Sequence, residues 1–61
     1  MKARDYFKEN KTKSIRFEHG NFLERPLDGT GEELLKLGKY LDDEINVLDE
    51  DETSACIESL F

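Results

Sequence analysis

This 61-residue chain has one cysteine, one proline, one histidine and one methionine. A lone Cys56 excludes an internal disulfide and suits a reducing compartment. Together Cys56 and His19 fall short of the four Cys or His ligands that a structural zinc site uses. No apolar run approaches the ~20 residues of a membrane span, and no charged-then-apolar signal peptide opens the chain. The sequence therefore reads as soluble and cytoplasmic, with no membrane partner. Scarce proline and serine exclude a linker composition, and no internal repeat suggests a solenoid.

What is present is charge. Charged residues make up 39% of the chain and hydrophobic residues 36%, which leans towards disorder without reaching it. Four Phe, two Tyr and the Leu and Ile residues are enough to seed a small core. A chain of this length buries only ~60% of its unfolded surface, so its stability margin is narrow.

The net charge of −6 is unevenly divided. Residues 1–27 hold seven Lys/Arg against four Asp/Glu, or +3, whereas residues 28–61 hold two Lys against eleven Asp/Glu, or −9. Such a division predicts an acidic face and argues against direct nucleic-acid binding, because phosphates meet repulsion over half the chain.

Local patterns suggest four segments of one small domain. In the basic segment 1–13, a short helix is expected over Ala3 to Glu9, ending at Asn10. Residues 14–27 read as a β-hairpin in which Ile15 and Phe17 alternate with Arg16 and Glu18. A three-residue loop, His19-Gly20-Asn21, would pair Phe17 with Leu23 and Arg16 with Glu24, and Pro26 would end the return strand or mark an edge.

Thr30 and Glu33 form a capping-box pattern that opens a main helix over 30–49. Leu34, Leu37, Leu41, Ile45 and Leu48 recur at spacings of 3, 4, 4 and 3. On a helix they form a stripe about 80° wide, flanked by Tyr40 and Val47. Gly38 within it suggests a bend or a close approach. Residues 50–61 read as an acidic connector followed by a short helix carrying Ala55, Ile57, Leu60 and Phe61. The expected fold is α+β: a two-stranded hairpin packed on one amphipathic helix, with short terminal helices.

The functional signal lies between Asp42 and Glu52, where seven of eleven residues are carboxylates. An EF-hand needs Gly at its sixth position and Glu at its twelfth. A register from Asp42 offers Val47 and Thr53, and one from Asp49 offers Ser54 and Leu60, so neither fits. On a continuous helix, Asp42 and Asp49 share one side, with Asp43 and Glu50 parallel to them. Carboxylates ~6 Å apart would compete for a basic groove built to hold nucleic acid. Asp42, Asp43, Asp49, Glu50, Asp51 and Glu52 are thus the candidate partner-binding residues. A solvated face that keeps the protein soluble explains the same acids more plainly.

Other constellations carry less. Nothing places His19 beside Cys56 as a base–nucleophile pair. Gly29 to Glu33, GTGEE, resembles a phosphate loop only until its two glutamates are counted at the helix start. Basic residues beside Tyr6 and Phe7 could form a stacking platform for nucleic acid, diluted by Asp5 and Glu9. The expectation is a non-enzymatic acidic regulator or inhibitor, without cofactor or metal, that occupies a basic site on a larger protein. Analogy of size and charge places it among proteins of phages and mobile elements. Assembly through the apolar helix face, including a homodimer, is the alternative, and nucleic-acid binding through the N-terminal segment is a further one.

Overall fold

A computed structural model describes residues 1–60. The element order is α1 (Ala3–Glu9), β1 (Ser14–Glu18), β2 (Leu27–Thr30), α2 (Gly31–Leu37), β3 (Ile45–Glu50) and β4 (Ser54–Ser59). The strands form one mixed sheet in the order β2-β1-β4-β3. β1 and β4 lie parallel at its centre, and each is antiparallel to its own hairpin partner. An α+β fold with two helices thus stands, whereas the two-stranded hairpin on one long helix is replaced by a four-stranded sheet.

Helix α1 forms as expected, on Ala3, Tyr6 and Phe7, which share a face at i, i+3, i+4 spacing and are buried. Its N-cap Lys2 supplies no side-chain hydrogen bond. The first amides donate instead to the chain before β3, Ala3 N to Asp43 O and Arg4 N to Leu41 O, both at 2.9 Å. Asn10 closes the other end, its Nδ2 donating to Tyr6 O at 2.8 Å.

Strand β1 shows the alternation read from the sequence, with Ile15 and Phe17 buried and Ser14, Arg16 and Glu18 exposed. Its antiparallel partner differs from expectation. Phe17 pairs with Leu27, Arg16 with Asp28 and Ile15 with Gly29. The return strand thus begins after Pro26, whose missing N–H excludes it from a paired position, and residues 19–26 become a loop.

The capping box at α2 is complete: Glu33 N donates to Thr30 Oγ1 at 3.1 Å and Thr30 N to Glu33 Oε1 at 2.9 Å. The expected helix 30–49 is nevertheless only Gly31–Leu37. Gly38 adopts a left-handed conformation (φ 74°) and its N–H closes the last turn onto Leu34 O. Beyond it Ile45 and Val47 alternate around Asn46 in a strand. The apolar stripe is therefore no helix face. Leu34 and Ile45 are buried on different elements, while Leu37 and Leu48 are half exposed.

The second expected helix is also a strand. Ala55 and Ile57 bury one face of β4, with Cys56 and Glu58 on the other. Phe61, assigned to that helix from sequence, lies outside the described residues. Parallel pairing of Ile15 with Ala55 and Phe17 with Ile57 joins the two hairpins. Both helices cover the same side of the sheet, and Phe7, Phe17, Ile15 and Ile57 are fully buried between the layers. Each such side chain contributes about 1.5–3 kcal/mol through burial. The opposite face of the sheet is uncovered.

Candidate functional site

The six candidate carboxylates, expected on the main helix 30–49 and the acidic connector after it, instead occupy the approach to β3, β3 itself and the β3–β4 turn. Several have intramolecular partners. Asp42 pairs with Arg4 at 3.0 Å, and Asp43 Oδ2 accepts from Ser59 Oγ at 3.0 Å. Glu50 Oε1 accepts from Tyr6 Oη at 2.6 Å and from Lys13 Nζ at 3.2 Å. The Tyr6 hydroxyl, with Lys13 behind it, holds the Glu50 carboxyl below the usual range. Asp51 folds the β3–β4 turn: its Oδ1 accepts from the backbone N–H of Thr53 and of Ser54, both at 2.8 Å. These bonds lower its pKa in the same sense.

Among the described residues, Asp49 Oδ1 accepts only from the adjacent Glu50 N–H, at 3.0 Å. Asp49 and Glu52 are both exposed, and among the described residues neither forms an ion pair with a cation; nor does Asp51. The outer end of the β3–β4 hairpin therefore displays three carboxylates with no compensating cation.

The uncovered sheet face extends this anionic character. Asp28, Arg16, Cys56 and Asp49 follow one another across the four strands. In the next row Glu18 lies beside Glu58 in the parallel register. Like charges on neighbouring strands are unfavourable, and no ion pair offsets either glutamate among the described residues. Cys56 faces this side while His19 packs edge-on against buried Phe17 on the other, so the two are not a catalytic pair.

Sequence reasoning missed the β1–β2 loop as a structured element. His19 is buried, and its imidazole lies flat on the Tyr40 ring, centroids 4.4 Å apart and planes 7° apart. Nδ1 accepts from Asn21 N at 3.2 Å, which leaves the ring proton on Nε2 to donate to Arg25 O at 2.8 Å. Tyr40 Oη donates to Glu24 Oε2 at 2.9 Å, and Lys39 Nζ reaches Glu24 Oε1 at 3.4 Å. The Tyr40 bond, followed by Lys39, lowers the Glu24 pKa.

Tyr40 itself is left-handed at φ 58°, a conformation that disfavours a bulky residue. The His19 stack and the Glu24 bond hold it there. Beside this staple, Phe22 is 94% exposed and Leu23 85% exposed. A cavity of about 270 Å³ is bordered by Glu18, His19, Asn21, Phe22, Glu24 and Pro26, with Gly20 at its turn. Gly20-Asn21 was the one local signal of a turn here; the contact with Tyr40 is long-range and leaves no mark in the sequence.

The remaining candidates can be placed. Tyr6 and Phe7 are buried, so neither presents a ring for base stacking. Glu33 already occupies the amide of Thr30 at the start of α2, where a phosphate would have to bind. Among the described residues no group of three or more His, Cys, Asp or Glu is placed to hold a metal ion, and no helix is long and apolar enough to cross a membrane. Comparison with protein-family models, curated proteins and solved structures found no match for this chain.

Proposed function

We propose that this chain is a small non-enzymatic binding protein that docks on a basic site of a larger protein and regulates or blocks it. One observation carries this reading: Asp49, Asp51 and Glu52 gather at the β3–β4 turn without a cation among the described residues, while Asp42 and Glu50 are neutralised by Arg4 and Lys13. The surface for a basic partner is thus narrower than the whole acidic stretch. Steering by such a patch speeds encounter and weakens as salt screens it.

Strand addition at β3 is a poorer use of the same region. Met1 O already accepts from Ile45 N at 3.0 Å, and Lys2 bridges Glu44, so the N-terminal residues cover the start of that edge. A bulge at Leu48 then twists the remainder.

Affinity capture from a lysate of the source organism, with elution in a salt gradient, tests the proposal. Asp49→Asn combined with Glu52→Gln removes two charges and leaves the turn-forming Asp51 intact. A basic partner released at moderate salt from the parent chain and not retained by the double variant is expected. A partner held equally by both, through high salt, would sink the proposal and favour apolar assembly.

A further inference from the structure

We infer that the cavity of the β1–β2 loop receives one arginine side chain of the partner, its guanidinium beside Glu18 and its plane on the Phe22 ring. The inference rests on the basic-partner reading and adds to it a second contact, at the end of the sheet opposite the β3–β4 turn. Three independent features converge on the loop. The first is the cavity itself, about 270 Å³, bordered by Glu18, Glu24 and Phe22; Glu24 is already held by Tyr40 and Lys39, which leaves Glu18 as its carboxylate without a cation among the described residues. The second is unmet negative charge: Glu18 is set against Glu58 on the adjacent strand, and no ion pair involves either among the described residues. A cation placed next to Glu18 relieves that repulsion.

The third feature is rigidity around an exposed ring. Phe22 stands almost entirely in solvent, yet the chain on both sides of it is pinned. Asn21 Oδ1 accepts from Leu23 N at 3.1 Å, Glu24 N returns to Asn21 O at 3.1 Å, and His19 ties Asn21 to Arg25. An apolar side chain held out by a fixed loop loses little entropy on binding, which is the character of an interface anchor. Apolar burial alone would suit any partner; the Glu18 carboxylate, which has no cation among the described residues, selects a positive charge. Arginine fits better than lysine because its planar fork meets carboxylates with two parallel bonds and stacks on an aromatic face.

The test is a two-dimensional amide NMR titration of the full chain with an acetylated Gly-Arg-Gly amide, run beside the peptide in which citrulline replaces arginine. Saturable shifts centred on residues 18–24 with the arginine peptide, and none with the citrulline peptide, are expected. Phe22→Ala should weaken the arginine peptide about fivefold, as loss of an exposed cation–π contact does, and Glu18→Gln should weaken it in the same direction. Both side chains lie at the surface, so retained peak dispersion confirms that the variants fold. Shifts confined to Asp49–Glu52 overturn the loop site while leaving the acidic-turn reading intact. Equal shifts with citrulline, no saturable shift at the loop, or an unchanged Phe22→Ala variant overturn it as well.

Discussion

Tyr6 and Glu50 meet across 2.6 Å because a single inserted residue turns Glu50 towards the helices. Val47 pairs with Ile57 and Asp49 with Cys56, so Leu48 is the extra residue of a bulge. In an unbroken alternation from Ile45 and Val47, Glu50 would fall on the uncovered face. The insertion restores it to the face that α1 covers, where the Tyr6 hydroxyl and Lys13 await it.

Acid should destabilise the fold in a way that this contact helps to set. Glu50, Asp51, Glu33 and Glu24 all have pKa values lowered by hydrogen bonds made in the folded chain. Their contribution is complete above the unfolded carboxylate range, about 4, and is lost as pH falls through the lower folded values. Urea midpoints measured from neutral to acidic pH should therefore decline below about pH 5. Tyr6→Phe should flatten part of that decline. A midpoint that rises on acidification would show instead that relief of the −6 net charge dominates.

The alkaline limb has the opposite sign. Burial first, and then the Glu50 hydrogen bond and charge, push the Tyr6 hydroxyl well above its ordinary value. The folded chain keeps that proton where the unfolded chain releases it. Stability from this source is full below about pH 10 and is lost as pH rises towards the folded value. Thermal melts of the parent chain should fall on this limb more steeply than those of Tyr6→Phe.

Gly31→Ala should destabilise although alanine is the better helix former by about 1 kcal/mol. A Cβ at Gly31 would overlap Asn10 O and lie 2.6 Å from Phe7 O, both backbone atoms at the end of α1. The same close approach lets Gly31 N and Glu32 N donate to Lys13 O and Lys11 O. The expected cost is about 1–3 kcal/mol in denaturant unfolding. Thr30→Ala, which removes only the cap, should cost about 1 kcal/mol. A neutral or stabilising Gly31→Ala would contradict the observed helix–helix packing.

Ile45→Ala and Leu48→Ala separate the observed strand from a continuous helix. Ile45 is 7% exposed and Leu48 49% exposed. Truncation at Ile45 should cost about 2–5 kcal/mol, with Leu48 well below that. Equal losses would point to a shared buried stripe.

Local signals were readable wherever the partner lay close in sequence. The Ala3–Glu9 helix, the Thr30–Glu33 capping box and the Ile15–Phe17 alternation each depend on residues within one or two turns. The segment from Leu34 to Leu48 satisfied a helical stripe by its 3-4-4-3 spacing, yet Ile45 and Val47 also satisfied a period of two. Gly38 held the answer, as a left-handed cap read as a bend. Of the candidate site, the surplus of acid was plain, but which acids have partners was not: Arg4, Lys13 and Tyr6 are more than thirty positions from the carboxylates that they bind.

By itself, then, the sequence determined the charge division, the N-terminal helix, the first strand and the cap of the second helix. Only the tertiary structure decided that residues 45–50 and 54–59 are strands, because β4 is aligned by parallel pairing with β1, some forty residues away. It also decided that Asp49, Asp51 and Glu52 lack a cation among the described residues and that Phe22 stands out from a pinned loop. Pairing and packing over such separations follow from which surfaces exclude water together, a property of the assembled chain that no short window of residues contains.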